Sequence, residues 1–142
     1  MGTNVILLIE DSPDDAELAI RAFAMGTLKP TIVVARDGVE ALEYLFGTGL
    51  GATRPSIRPD VVLLDLKLPR VDGLEVLRRV RADPRTRLLP VVIMTSSDRE
   101  RDIESGYALG ANSYIVKPIK FSDFVETASQ LGAYWLTINR AV

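Results

Sequence analysis

The stretch PDVVLLDLKLPRVDG, residues 59–73, contains an unbroken apolar run that ends in one carboxylate, Asp65. The run Val61–Leu64 has no polar alternation, which is typical of a strand buried on both faces of a parallel sheet. Open α/β sheets bind their ligands at the carboxyl ends of the strands, so an acid at that point is placed for chemistry. Taken alone, Asp65 would more often be a surface residue that begins a loop, and the rest of the chain has to decide.

The pattern of apolar strand and amphipathic helix occurs five times along the chain. Apolar runs predict strands at Val5–Ile9, Thr31–Ala35, Val61–Leu64, 91–94 and Ser113–Val116. Apolar residues at helical spacing predict helices between them, with a polar fourth helix over residues 98–109. This alternation implies an α/β fold, a doubly wound parallel sheet with helices on both faces, joined by right-handed crossovers.

The first and last helices have the clearest predicted buried stripes. In the first helix Ser12 is the expected cap and Pro13 the first helical residue, with two acids, Asp14 and Asp15, in the first turn and Gly26 as the stop. The expected stripes consist of Ala16, Ala19, Ile20 and Phe23 in the first helix, and of Phe121, Phe124, Val125, Ala128, Leu131 and Trp135 in the last.

Composition excludes several kinds of chemistry. The chain has 142 residues, 17 basic and 19 acidic, a formal net charge of −2, and neither histidine nor cysteine. One domain of this length buries about 68% of the unfolded surface, and its charge favours neither nucleic acid nor anionic lipid. Thiolate and imidazole chemistry are excluded, and no apolar segment approaches the ~20 residues that span a bilayer. We expect a cytoplasmic protein that relies on oxygen ligands.

Polar groups follow the ends of the predicted strands. Glu10 and Asp11 follow the first strand, Asp65 the third, Thr95 the fourth and Lys117 the fifth. In the flavodoxin-like (βα)5 order 2-1-3-4-5, strands one and three are neighbours, so these groups meet in one crevice. Three carboxylates repel one another unless a cation compensates them. A hard divalent ion with oxygen ligands, Mg²⁺ in a cell, meets that need.

Each of these residues also has an ordinary structural explanation. Glu10 and Asp11 precede a helix, where acids compensate the helix dipole by up to ~1 kcal/mol. Lys117 would be an exposed lysine before a loop, and Thr95 a β-branched residue that ends a strand. Gly73 is either a turn residue with positive φ or a site of close backbone approach. The convergence of the polar groups at one sheet edge favours the functional interpretation.

Residues 47–52, GTGLGA, have the glycine spacing of a dinucleotide-binding loop. That motif requires a strand before it and a helix after it, whereas this stretch follows a predicted helix and opens none. We therefore expect a surface loop here, without phosphate binding.

Four motifs together carry a resemblance that covers essentially the whole chain. They are IEDS at 9–12, LLDLKLPRVDG at 63–73, MTSS at 94–97 and YIVKP at 114–118. With them the sequence resembles a response regulator receiver domain of two-component signalling. The resemblance implies that Asp65 accepts a phosphoryl group and that Glu10, Asp11, Asp65 and the backbone carbonyl of Lys67 hold Mg²⁺. It also implies a phosphoryl acceptor that catalyses only its own phosphorylation and dephosphorylation, and not a separate enzyme.

The same resemblance assigns the switching residues. Thr95 would turn its hydroxyl toward the phosphoryl group, Lys117 would be the counter-charge, and Tyr114 would change rotamer with Thr95. The face formed by the fourth helix, the fifth strand and the fifth helix would then change shape. The bond between Lys117 and Pro118 would be cis. Tyr114 has the alternative of a strand aromatic that only packs on its neighbours.

The chain departs from the usual receiver pattern in two places. Glu10 stands where an aspartate is more usual, which bears on metal affinity. Lys67, two residues after the acceptor, can screen or block an attacking water, so we expect it to alter the lifetime of the phosphoryl group.

The expected partners follow from the same resemblance and from the C-terminal helix. IEDSPDDAEL, the long loop before residue 59 and the LGAYWL tail are similar to stand-alone regulators paired with phytochrome-type histidine kinases. We expect a single receiver domain, residues 1–142, that signals by protein contact or by onward phosphotransfer. One helix cannot bury the consecutive Tyr134, Trp135 and Leu136, which suggests a partner surface, such as a homodimer. Alternatively, Trp135 points inward and the other two are scattered on the surface.

Two other classes of protein share parts of this pattern. A metal-dependent phosphatase with an aspartyl nucleophile has the motif D-x-D-x-[TV], but its second acid position is Lys67 here. A binding module could keep the fold without being phosphorylated, but the complete set of site residues argues against it.

Overall fold

Five strands alternate with five helices in the residues that the structure, a computed structural model, describes: 4–26, 28–47, 58–117 and 120–139. The strands are β1 (Val5–Ile9), β2 (Thr31–Ala35), β3 (Val61–Leu64), β4 (Val91–Thr95) and β5 (Ser113–Val116). The helices are α1 (Pro13–Ala24), α2 (Gly38–Phe46), α3 (Gly73–Ala82), α4 (Glu100–Ala108) and α5 (Phe121–Ala133), and a π-helical turn, Tyr134–Ile138, continues α5. None of these helices is both long and apolar enough to cross a membrane.

The strands form one sheet in the order β2-β1-β3-β4-β5, and every adjacent pair is parallel. This confirms the predicted doubly wound, flavodoxin-like fold. In the central strands Ile9 is in register with Leu64, so the residues that follow them leave the sheet side by side. The topology therefore brings the end of β1 and the end of β3 to one point of the sheet edge.

Two apolar layers, one on each face of the sheet, form the core. Alternate residues of the central strands face opposite sides, as expected for strands buried on both faces. One layer contains Leu7, Ile9, Val62, Leu64 and Ile93 with the buried faces of α2 and α3. The other contains Ile6, Leu8, Val61, Leu63 and Val92 with α1 and α5. The helices are thus divided between the two faces, and the loops at the strand ends remain free for a site.

The N-terminus of α1 is built as the sequence predicts. Ser12 is the cap, and its hydroxyl accepts a hydrogen bond of 3.2 Å from the backbone N–H of Asp15. Pro13 is the first helical residue, where its missing N–H has no cost. The cap fixes the direction in which α1 leaves the acidic end of β1.

The prediction of the buried stripe of α1 is wrong for one residue. Ile20 is 42% exposed, while Ala22 is buried together with Ala16, Ala19 and Phe23. Successive helical residues are 100° apart, so the burial of Ala22 turns Ile20 out of the packed face. Both are apolar residues at helical spacing, and only the packing partner decides between them.

Two helix starts also differ from the prediction. Helix α4 begins at Glu100 and not near residue 98, because Ser97 and the residues after it form a hydrogen-bonded loop. In α5, Phe121 is 38% exposed although it was placed in the buried stripe. It is the first residue of the helix, and the fully buried positions of α5 start one turn later at Phe124. Gly110, two residues after the end of α4, has a positive φ of 105°, which is typical of a glycine that ends a helix.

Candidate functional site

The sheet edge at the ends of β1, β3 and β5 gathers the predicted polar residues. Parallel pairing continues just beyond the strands, because the backbone N–H of Asp65 donates to the carbonyl of Ile9 at 3.0 Å. Likewise, the backbone N–H of Lys117 donates to the carbonyl of Thr95 at 2.8 Å. The sheet therefore places Asp65 and Lys117 on fixed backbone, and their side chains meet above its edge.

The ammonium of Lys117 contacts three carboxylates of this site. Its Nζ donates to Glu10 Oε1 at 2.7 Å, to Asp15 Oδ2 at 2.7 Å and to Asp65 Oδ2 at 3.0 Å. Its side chain is only 13% exposed. The interpretation of Lys117 as an ordinary exposed lysine is therefore wrong.

Asp15 is a site residue that the sequence analysis missed. The sequence analysis placed it only among the acids of the first turn of α1, yet its carboxylate contacts Lys117 across 102 positions of sequence. A signal was present in the spacing. Asp15 precedes the buried Ala19 by four residues, and residues four apart lie on the same face of a helix.

Glu10, Asp11 and Asp65 form an acidic cluster. One carboxylate oxygen from each lies within 4.8 Å of those of the other two. Glu10 and Asp65 are buried and Asp11 is exposed, so one side of the cluster faces solvent. Oxygen donors at this spacing suit a hard divalent cation that keeps part of its water shell, and the residues present therefore fit a metal site.

The two buried carboxylates of the acidic cluster are held by further hydrogen bonds. Glu10 Oε2 accepts from the backbone N–H of Ser12 at 3.2 Å, and Asp65 Oδ1 accepts from that of Lys67 at 3.2 Å. With Lys117 on their other oxygens, both carboxylates are fixed at two points. A bound cation would share these oxygens with the present donors. The assignment of the Lys67 carbonyl as a ligand stays a prediction.

The electrostatics of the site follow from the burial of opposite charges. Burial, with a contribution from Asp65, raises the pKa of Glu10 to about 7, although the hydrogen bonds from Lys117 and Ser12 act in the opposite direction. Burial also lowers the pKa of Lys117, but its hydrogen bonds to Asp15, Glu10 and Asp65 outweigh this and raise it overall. Lys117 therefore remains an ammonium that carries the positive charge of the site.

Thr95 and Tyr114 are linked through a third residue, Ser97. The Oγ1 of the fully buried Thr95 accepts a hydrogen bond of 3.4 Å from the backbone N–H of Ser97. The Tyr114 hydroxyl donates to the carbonyl of Ser97 at 2.8 Å. The Ser97 hydroxyl in turn donates to Asp102 of α4 at 2.6 Å. Tyr114 therefore does more than pack on its neighbours, and Ser97, missed as a functional residue in the sequence, joins β4, α4 and β5.

Gly73 closes the loop that follows β3. Its N–H donates to the carbonyl of Leu66 at 2.9 Å, and a Cβ built on it would lie 2.3 Å from the carbonyl oxygen of Asp65. Of the two interpretations, close backbone approach is confirmed. The positive φ is not, because the positive-φ glycines among the described residues are Gly47 and Gly110.

Two predictions fall on residues outside the described part of the chain. Pro118, with the expected cis bond, is one of these residues, and so is the GTGLGA stretch except for Gly47. Gly47 caps the end of α2 with a φ of 67°.

The model of the response regulator receiver domain family matches residues 6–129. The chain belongs to this family. It is 41% identical over 138 residues to the probable methanogenesis regulatory protein FilR2 of Methanothrix harundinacea, covering 96% of this chain and 86% of the relative. It is 35% identical over 132 residues to the response regulator Rcp1 of Synechocystis, covering 93% and 88%.

Solved structures of receiver domains match nearly the whole chain. The phosphorylated cyanobacterial phytochrome response regulator RcpA has a TM-score of 0.91 at 36% identity, with 99% of both chains covered. The bacteriophytochrome response regulator AtBRR has a TM-score of 0.78 at 47% identity, with 99% of this chain and 100% of that chain covered. The Mn²⁺-bound form of Rcp1 has a TM-score of 0.88 at 33% identity, with 98% and 99% covered. This receiver domain is thus similar to phytochrome response regulators over their full length.

Proposed function

We propose that this receiver domain accepts a phosphoryl group from a sensor histidine kinase on Asp65. The observation that carries the proposal is the contact of Lys117 Nζ with Asp65 Oδ2 at 3.0 Å, beside an acidic cluster whose oxygens lie within 4.8 Å of one another. A nucleophilic carboxylate, a fixed cation and a candidate metal site at one sheet edge are the parts that phosphoryl transfer to an acid needs.

In the proposed reaction an oxygen of Asp65 attacks phosphorus, and the new P–O bond forms as the P–N bond of the donor phosphohistidine breaks. The donor imidazole leaves with the electron pair of that bond. An ionised carboxylate is itself the nucleophile, so the chain needs no general base, in keeping with its lack of histidine. The ammonium of Lys117 balances negative charge on the transferred oxygens.

We propose Mg²⁺ as the metal of the acidic cluster, held by Glu10, Asp11, Asp65 and the carbonyl of Lys67. The three carboxylates support this, as does the Mn²⁺ bound by the similar regulator Rcp1. When bound, such an ion supplies charge stabilisation to the phosphoryl oxygens. Glu10 and Asp65, already fixed by backbone and lysine donors, would offer it oriented oxygens.

The output of the proposed switch is the face formed by α4, β5 and α5. Thr95 and Tyr114 are both hydrogen-bonded to Ser97. A move of the Thr95 hydroxyl toward a phosphoryl group would break its hydrogen bond with the N–H of Ser97, in the loop whose carbonyl accepts from Tyr114. The α4–β5–α5 face also carries exposed apolar side chains, Tyr107, Val116 and Phe121, and Tyr134 is exposed beyond it.

We propose a homodimer through the α4–β5–α5 face and the C-terminal helix. Tyr134 is exposed, whereas Trp135 and Leu136 are half-buried against the core, so the three are not all buried. Light scattering tests the dimer: wild type would be dimeric and Val116→Asp monomeric. A monomeric wild type at high concentration would overturn it.

The kinase partner is proposed to be of the phytochrome type. RcpA and AtBRR are named as phytochrome and bacteriophytochrome response regulators, and both match this chain over nearly their whole length. The proposal also includes onward transfer to a phosphotransfer protein and a cytoplasmic location. It further includes catalysis by the protein of its own phosphorylation and dephosphorylation, without a separate enzymatic activity. All three stay predictions. No contact in the described residues favours the phosphatase or the unphosphorylated module.

Intact mass after incubation with acetyl phosphate tests the acceptor and the metal together, because a small donor needs no kinase. We expect a Mg²⁺-dependent gain of one phosphoryl group in wild type and in Asp14→Asn, and no gain in Asp65→Asn. Asp14 is a matched control because it is an exposed acid in the first turn of α1. An unmodified wild type under all conditions would overturn the proposal.

A further inference from the structure

We propose that Asp15 is a positioning residue for phosphoryl transfer. It holds the ammonium of Lys117, and of the three carboxylates that do so it is the one that neither binds the proposed metal nor accepts the phosphoryl group. The inference rests on the proposed function and adds a residue to its machinery.

The ammonium of Lys117 has three N–H bonds, and each has a carboxylate partner. They are directed to three carboxylates, Glu10 and Asp15 at 2.7 Å and Asp65 at 3.0 Å. Glu10 and Asp65 belong to the acidic cluster, whereas Asp15 does not. During transfer the oxygens of Glu10 and Asp65 serve the cation and the phosphoryl group. Asp15 is then the carboxylate that keeps its hold on the lysine.

Asp15 is itself held firmly. Its backbone N–H donates to the Ser12 hydroxyl that caps α1, and Ala19, four residues later on the same face of the helix, is buried in the core layer between α1 and the sheet. Its side chain is 38% exposed and that of Lys117 13% exposed, so the pair lies between solvent and the interior. An ion pair in this position is less screened than a surface pair. The backbone of Asp15 is therefore held in place by α1, and its carboxylate forms an effective ion pair with Lys117.

Anchoring matters because the lysine side chain is a flexible four-carbon stem that carries a point charge. Groups held in place before the reaction contribute to the rate, and small displacements are costly. Without Asp15, the ammonium would pair only with Glu10 and Asp65, the two carboxylates that must be free for other partners. We therefore expect loss of Asp15 to slow the transfer step.

The test compares Asp15→Asn with Asp14→Asn. Both acids lie in the first turn of α1, so both substitutions remove the same favourable charge at the helix N-terminus, but only Asp15 contacts Lys117. With acetyl phosphate and Mg²⁺, we expect Asp15→Asn to lower the phosphorylation rate about tenfold. Asp14→Asn should stay within about twofold of wild type, and thermal unfolding should show both variants folded.

A double-mutant cycle separates positioning from a structural role. In a Lys117→Met background, Asp15→Asn should cause no further loss of rate, because the residue that it positions is gone. Asp15→Glu, which keeps the charge, should recover part of the rate.

Three results would overturn the role of Asp15: an equal loss in Asp14→Asn, an additive loss in the Lys117→Met background, or a rate in Asp15→Asn that is unchanged or faster. If wild type is phosphorylated and one of these is found, only the Asp15 proposal fails. If wild type takes up no phosphoryl group, the proposed function fails, and the Asp15 proposal fails with it.

Discussion

The hydroxyl of Tyr114 donates a 2.8 Å hydrogen bond to the carbonyl oxygen of Ser97, so the edge strand β5 holds the loop that joins β4 to α4. Ser97 also donates its N–H to Thr95 Oγ1 and its hydroxyl to Asp102. Ser97 is the donor or the acceptor in each of these three hydrogen bonds. Thr95 and Tyr114 are therefore both hydrogen-bonded to the same residue, Ser97.

Tyr114→Phe should loosen this loop without damaging the acceptor. The substitution removes one hydrogen bond, which contributes about 1 kcal/mol to the stability of the loop. Where local opening controls amide exchange, this loss makes the exchange roughly fivefold faster. Hydrogen exchange over residues 97–99 should therefore accelerate, while the phosphorylation rate with acetyl phosphate stays near that of wild type. Tyr107→Phe is the matched control, since Tyr107 is an exposed tyrosine of α4. Equal exchange in the two variants would mean that the hydroxyl does not hold the loop.

Gly73→Ala should damage both stability and phosphorylation. The added Cβ would lie 2.3 Å from the Asp65 carbonyl oxygen and 2.7 Å from Leu66 Cα, and both are backbone atoms that must shift. Overpacking of this kind costs about 1–3 kcal/mol, and the shift displaces the acceptor itself. Urea unfolding and the acetyl phosphate assay measure the two effects.

Gly132→Ala is the control for the Gly73 substitution. Its nearest atoms outside α5, on Leu28 and Leu136, would be 3.9 Å and 4.0 Å from the new Cβ, which is ordinary contact. We expect its free energy of unfolding to stay within about 1 kcal/mol of wild type, since alanine also favours the helix. If Gly73→Ala were equally mild, the close approach at the acceptor would not constrain the loop.

Arg81 is expected to be the most important arginine for stability. Its guanidinium donates to the carbonyls of Arg87 at 3.1 Å, Leu89 at 2.7 Å and Gly110 at 2.9 Å, and to Asn112 Oδ1 at 2.9 Å. It thus joins the end of α3 to the loops before β4 and β5. Arg81→Ala removes all four hydrogen bonds, although Asn112 Oδ1 still accepts one from the backbone N–H of Val91, and should cost about 2–4 kcal/mol in the free energy of unfolding.

Arg79→Ala provides the comparison for Arg81. Arg79 lies on the same helix, but it is half exposed and its one ion pair among the described residues is with Glu75. Surface ion pairs contribute at most about 1 kcal/mol, so chemical unfolding should separate the two variants clearly. Similar losses would show that the four hydrogen bonds of Arg81 add little.

The fold was predictable because its determinants are local. Unbroken apolar runs mark buried parallel strands, and the Ser12–Pro13 cap marks the start of α1. The membership of the acidic cluster was also predictable, since each acid directly follows a strand. The contact of Asp15 with Lys117 was not. Spacing places Asp15 on the buried face of α1, but it does not say which of several acids near the sheet edge the lysine contacts. The burial of Ala22 in place of Ile20 likewise depends on how α1 packs against its neighbours.

Lys67→Asn should shorten the lifetime of the phosphoryl group. The backbone N–H of Lys67 donates to Asp65 Oδ1 at 3.2 Å, so the residue lies at the acceptor while its side chain is exposed. A long cationic side chain there can hinder the water that attacks the aspartyl phosphate, and asparagine, shorter and uncharged, hinders it less. We expect dephosphorylation to become severalfold faster, measured as loss of the phosphorylated mass after the donor is removed. Arg70→Asn is the control on the same loop, because Arg70 pairs with Asp37 and not with the acceptor. An unchanged lifetime in Lys67→Asn would show that the lysine does not shield the acceptor.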